Sequence, residues 1–354
     1  MQEASTHRVS RQRGSAAAAT WTLWVSFCGT LDVDPFTIQP RDQIPLLQLF
    51  AQRYRTGSIS PGRHPVRSRT VEDAVRAVGQ AYARLGSPDP RLNAHGTLDI
   101  RLTSLYRAWQ REDAPPSRVK PLPLSVVAQV YATAQLENTP EVRAGADCLV
   151  LGFYFLLRPG EYLGKPPADR PGPLFRLRDV QLWIGSRALS LLSCPPDDLM
   201  AATFVTLTFT EQKNGVRNET IGHGRSGHPT LCPVLCTAAR VLALRTAGAA
   251  VDSPLNAFFD PTVSHFRFII ASHLTTRIRA ALILHPDPAY TLRSARAGGA
   301  MALLCAGIDG DRIRLIGRWR SDEMYRYLHV QAQPVMNGLS AAMLRGGAFS
   351  LTPS

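Results

Sequence analysis

The stretch GRWRSDEMYRYLHV, residues 317–330, packs three arginines, a tryptophan and two tyrosines into fourteen positions. Phenols among so many cations suit two readings. In one, an amphipathic helix buries its aromatics. In the other, a tyrosine attacks a phosphate whose charge the arginines neutralise. Three further patches carry related chemistry. Arg158 in LLRPGE directly follows a long apolar segment, so its guanidinium either pairs with Glu161 or meets a bound anion. Lys213 stands next to Asn214-Gly215, where a flexible cation reaches an adjacent ligand. Arg293 lies in YTLRSARAGGAMALLCAGID, whose Ala297, Gly298, Gly299 and Ala300 permit close backbone approach to a neighbouring element. Taken singly, each patch reads as well as ordinary surface charge or a core aromatic.

The elements that must carry these residues follow from hydrophobic periodicity. Trp21, Trp24, Val25 and Cys28 recur as one helical stripe. TVEDAVRAVGQAYARLG, 70–86, predicts a helix capped by Thr70 and stopped at Gly86, with Val71, Val75, Val78 and Tyr82 as its buried face. GTLDIRLTSLYRAWQR predicts another. SVVAQVYATAQL and AGADCLVLGFYFLLRPGEYL read as two buried helices. VQLWIG and TFVTLTFTEQK read as strands, since Val205, Leu207 and Phe209 alternate with threonines. Asn214-Gly215 favours a tight hairpin turn, which makes ETIGHGR the returning strand. After LCPVLCTAARVLALRTAG the chain reads as helical to about residue 345. The expected class is mainly α with a small antiparallel β-sheet (α+β).

At 354 residues the chain has room for two domains, and 45% apolar content makes it globular. Lysine and arginine number 40 against 27 acids, a formal charge of +13, which suits a polyanionic partner such as nucleic acid or an acidic membrane surface. The longest apolar run, CLVLGFYFLL, is ten residues, about half of what a bilayer crossing needs. REDAPPSRVKPLPLS marks a proline-rich linker. The predicted plan is a basic tail over 1–17, a helical domain over 18–110, the linker over 111–122, a catalytic domain over 123–335 and a tail over 336–354. Six cysteines sit mostly in apolar segments, as buried free thiols do. His223, His228, Cys232 and Cys236 form a zinc-like set, but their spacing matches no common module and Pro229 and Pro233 interrupt it. A loop with two half-buried thiols is the simpler reading.

Together, the R-x-G-E of Arg158, the hairpin Lys213, Arg293 before small residues, and G-R-W with Tyr327 eight residues on resemble the tyrosine recombinases, the phage-integrase family. LRPGE and GRWRSD with its following tyrosine are most similar to the Crypton-like and DIRS-like recombinases of eukaryotic mobile elements. The resemblance covers about 123–335, and the N-terminal part is similar to the family's core-binding domain in position and helicity. It implies DNA strand cleavage and rejoining through a 3′-phosphotyrosine. Arg158 and Arg293 would hold the scissile phosphate and Trp319 would donate its indole N–H to it. Lys213 would protonate the leaving 5′ oxygen and Tyr327 would attack. Tyr325, two residues away, reads as packing.

The family places histidine three residues before the second arginine, and Tyr290 stands there in this reading. A phenol with a pKa of about 10 is a poor base at neutral pH. A catalytically weak DNA-binding descendant therefore stands as an alternative, as does a type IB topoisomerase. The resemblance further implies double-stranded DNA as partner, no metal, ATP or other cofactor, a tetramer on paired sites that exchanges C-terminal segments, and a nuclear location.

Overall fold

The computed structural model describes residues 11–115, 119–164, 174–210, 218–282, 287, 289–320, 324–325, 327–329, 332–336, 339–340 and 343. Lys213, the Asn214-Gly215 turn and the segments on either side of Tyr327 at 321–323 and 326 lie outside these residues. The chain divides into two compact units, Met1–Pro116 and Ser117–Ser354.

The first unit is built from helices α1 (Arg11–Gly29), α2 (Pro40–Arg55), α3 (Ser68–Arg84) and α4 (Ile100–Glu112). Trp24, Phe27, Phe50 and Tyr82 lie at the centre of its core. The polar ends of two of these rings are satisfied. Trp24 Nε1 donates to the Tyr82 hydroxyl at 3.0 Å, which donates in turn to the Pro35 carbonyl at 2.6 Å. Of the predicted stripe, Trp24 and Cys28 are buried, whereas Val25 is 40% exposed. The predicted face of α3 (Val71, Val75, Val78 and Tyr82) is buried throughout. Its start falls two residues ahead of Thr70, because the Ser68 N–H and hydroxyl both donate to Asp113, at 2.8 and 2.5 Å.

The second unit begins with α5 (Leu124–Glu137) and α6 (Pro140–Tyr154). The sequence reads as one helix through to Leu163, but α6 stops at Tyr154. Leu156 takes a left-handed φ of 48° and the Leu157 N–H closes back on the Gly152 carbonyl at 3.0 Å, a Schellman turn with leucine where glycine is usual. The one-turn helix α7 (Pro159–Tyr162) follows. The strands β1 (Val180–Ile184), β2 (Arg187–Ala188), β3 (Phe204–Phe209) and β4 (Glu219–Gly224) make an antiparallel sheet in the order β2-β1-β3-β4, and β3 buries Val205, Leu207 and Phe209 as its alternation predicts. Helix α8 (Pro196–Ala201) connects β2 to β3, and α9 (Pro233–Thr246) packs on α6.

The chain beyond α9 is not wholly helical. A second hairpin, β5 (Ala257–Asp260) with β6 (His265–Phe268), precedes α10 (Ala271–Ala280), α11 (Arg293–Cys305), α12 (Gly310–Gly317) and the short α13 (Gln333–Met336). Helix α11 lies tightly on its neighbours. A Cβ at Gly298 would sit 2.1 Å from the Leu122 carbonyl oxygen, and one at Gly299 2.0 Å from that of Phe153. The small residues thus permit the approach the sequence suggests. Cys232 and Cys236 are fully buried, Cys236 inside α9 rather than in a loop, and no three potential metal ligands converge among the described residues. No helix among them is long and apolar enough to cross a membrane.

Candidate active site

Two breaks in the helices, at Leu156 and Arg318, bring a cluster of arginines together. The Leu156 turn ends α6 and releases Arg158 at the N-cap of α7. There Glu161 receives the Arg158 backbone N–H at 2.7 Å and its Nη1 at 2.9 Å. At the far end of α12, Arg318 takes a left-handed φ of 56° and its N–H donates to the Leu315 carbonyl at 2.9 Å. That conformation costs a non-glycine residue roughly 1–2 kcal/mol. It sends the Arg318 side chain inward: Nη1 donates to the Phe155 carbonyl at 3.1 Å, and Nη2 to the Leu156 carbonyl at 3.3 Å and to Glu161 at 3.1 Å. Arg318 therefore caps the carbonyl end of α6, where the helix dipole favours a cation, and its guanidinium lies 3.6 Å from the Phe209 ring centroid.

Arg296, on α11, completes the cluster. It is 2% exposed, and its Nη2 donates to the Gly317 carbonyl at the end of α12. Its guanidinium stacks 4.4 Å from the Trp319 ring centroid and 5.9 Å from that of Tyr327. The Trp319 and Tyr327 rings are themselves 5.4 Å apart. Nε and Nη1 of Arg296 have no hydrogen-bond partner among the described residues. Burial, then the neighbouring cations Arg318 and Arg158, push its guanidinium down to about 9. Burial pushes Arg318 down to about 10, against the opposing pull of Glu161. Both stay charged at neutral pH. Glu161 is the carboxylate that bonds to this cluster, with Glu219 acting on Arg318 from β4. Among the described residues Nε and Nη1 of Arg296 thus stay without acceptors, and buried donors without acceptors are costly unless an anion meets them.

The fold that produces this geometry has parallels. No protein-family profile matches the chain, and no curated protein does. Among solved structures, the Tn1549 transposon integrase, in complex with circular-intermediate DNA, superposes with a TM-score of 0.50 at 13% identity, over 97% of this chain and 96% of that one. The chain shares its fold with a transposon integrase. Lambda integrase, as a dimer on a COC′ core site, gives 0.48 at 10% identity over 94% of this chain and 75% of that one. XerA recombinase gives 0.38 at 15% identity over 99% and 96%.

Within this integrase-like fold, Arg158, Trp319 and Tyr327 fall in or beside the arginine cluster. Arg293 does not: it begins α11 with its side chain exposed. Arg296, one turn on, is the arginine of that helix that faces Trp319. An arginine set directly before Ala297-Gly298-Gly299-Ala300, in the middle of a helix face that packs hard against its neighbours, was the available signal. Tyr290 is buried beneath Lys120, whose Nζ lies 4.9 Å from its ring centroid, and makes no contact with the arginine cluster among the described residues. Tyr325, which reads as packing in the sequence, is 60% exposed. Tyr327 is half-buried against Trp319, while Leu328 beside it is buried.

Proposed function

We propose that the chain cleaves and rejoins DNA strands by transient covalent attachment to Tyr327. The observation that carries this reading is Arg296: a buried cation stacked on Trp319, next to Tyr327, with two nitrogens lacking acceptors among the described residues. A non-bridging oxygen pair of a phosphodiester matches what it lacks, and Arg158, 30% exposed at its side chain, gives the same anion a second fork. The Tyr327 phenolic oxygen attacks phosphorus and the bond to the 5′ oxygen breaks. Net, the phenolic proton ends on that 5′ oxygen, delivered by Lys213 in the role its resemblance gives it. The phosphotyrosine keeps the bond energy, so rejoining is the reverse step. The guanidinium forks of Arg296 and Arg158 stabilise the extra negative charge of the pentacoordinate transition state. DNA as the polyanion is supported by the transposon integrase of shared fold, captured on DNA.

With Arg296 as the second phosphate arginine, the family's histidine place, three residues earlier, falls on Arg293 rather than on Tyr290. An arginine there can hold phosphate but cannot exchange a proton near neutral pH. That substitution favours a second reading, a slow or inactive descendant that still binds DNA. The mobile-element role, the Crypton-like or DIRS-like branch, a tetramer on paired sites and a nuclear location rest on the motifs alone.

The test is covalent trapping on a pool of nicked duplexes of random sequence, without ATP, followed by SDS denaturation. DNA that remains attached to protein is the expected result. Salt-sensitive binding with no attached DNA would favour the binding-only reading.

A further inference from the structure

The segment through which the chain enters its second unit is fastened to that unit at three points. The Val119 carbonyl accepts from His329 Nε2 at 3.1 Å. Lys120 Nζ bonds the Asp287 carboxylate and covers the Tyr290 ring. The Leu122 N–H donates to the Ser294 carbonyl at 2.9 Å, at the start of α11. The first of these ties is unlike the others, because His329 lies two residues past Tyr327. A carbonyl can only accept, so Nε2 carries the hydrogen and the tautomer is fixed. The backbone N–H of His329 donates to Met301 Sδ at 3.0 Å, and Met301 belongs to α11, the helix that bears Arg296.

Around Tyr327 the backbone also makes local bonds. Among the described residues its N–H closes a single turn on the Met324 carbonyl at 2.9 Å, and the Ala332 N–H returns to the His329 carbonyl at 3.2 Å. Both are local bonds, which shape the turn without fixing where it sits. Two long-range polar ties of the segment run through His329, one to Val119 and one to Met301. An attacking oxygen has to be placed in line with its target, and a displacement of about 1 Å costs roughly a hundredfold in rate.

We infer that His329 is a positioning residue for Tyr327, and that the entry segment Val119–Leu122 is the fixed point against which it registers the nucleophile. The inference rests on the proposed role of Tyr327. It also assigns Tyr290 a different task from phosphate chemistry, as the platform beneath Lys120 that anchors the same segment.

The test uses the full chain as His329→Ala and His329→Gln, the glutamine side-chain amide keeping an N–H donor at similar reach. Single-turnover cleavage of a nicked duplex at saturating protein is measured beside the gel-shift Kd. Alanine is expected to slow cleavage by about 10- to 100-fold with Kd unchanged, and glutamine to recover most of the rate. Cleavage at the wild-type rate in the alanine variant, or an equal loss in both variants, would overturn the inference. Hydrogen exchange separates it from the proposed function. If the wild type forms no adduct, the cleavage reading falls, and the strap is then judged by the amides of 324–329. These should exchange faster in His329→Ala while α5 and α6 keep their protection. Unchanged exchange there, or loss of protection throughout the unit, would contradict it.

Discussion

Arg296 has its charge buried against Trp319 and one N–H spent on the Gly317 carbonyl, while Nε and Nη1 find no acceptor among the described residues. Its planar fork cannot be replaced by a single ammonium point charge. Arg296→Ala is expected to lower single-turnover cleavage by about a thousandfold, on the scale of losing a preorganised transition-state donor, and Arg296→Lys to restore little of it. Arg293→Ala, at an exposed site, should cost about tenfold or less. Comparable losses in the two alanine variants would remove the distinction drawn between them. The local motifs single out Arg158, Trp319 and Tyr327, which the fold places in or beside one cluster, and on α11 they single out the exposed Arg293. Two arginines three residues apart on a helix lie on nearly the same side, and only the packing of α11 against α12 decides which one is buried. Arg318 is missed for a related reason: its role depends on a left-handed residue that ends α12, which no residue type in GRW announces.

At the scale of elements, the site depends on how closely α11 lies against α6. A Cβ at Gly299 would meet the Phe153 carbonyl oxygen at 2.0 Å, a backbone atom that cannot rotate aside as a side chain can. Gly299→Ala should therefore destabilise the second unit by about 1–3 kcal/mol, as overpacking does. It should also lower cleavage more than a surface alanine would, both readable from denaturant midpoints and adduct yield. An unchanged midpoint would mean that the two helices part easily. Elements with long periodic patterns were legible: the face of α3 and the alternation in β3 are found as the sequence implies. The hairpin of β5 and β6 was not, since AFFD and HFRF are four residues each, too short to show a period, and Phe259 points outward at 37% exposure. The end of α6 was equally hidden. CLVLGFYFLL runs unbroken through Leu156, whereas α6 ends at Tyr154 and the carbonyls of Phe155 and Leu156 accept from Arg318, a contact from far along the sequence.

Over the whole molecule the formal charge of +13 gives the cations beyond the cluster a common partner. If affinity is carried by phosphate contacts, Kd for random duplex should weaken steeply with salt, by about 10³–10⁵ between 50 and 200 mM for some 6–10 contacts. Trp319 and Tyr327 should contribute little to that slope. Salt-independent binding would argue against a phosphate-dominated interface. Binding, however, is shared by an active enzyme and an inactive descendant, so chemistry has to separate them. The direct measurement is adduct formation on the nicked random pool by wild type, Tyr327→Phe and Tyr325→Phe, followed by mass mapping of the DNA-linked peptide. The account predicts adducts in wild type and in Tyr325→Phe, none in Tyr327→Phe, and a phosphate-bearing peptide that contains Tyr327. Adducts that survive in Tyr327→Phe, or a linkage mapped to another residue, would contradict it.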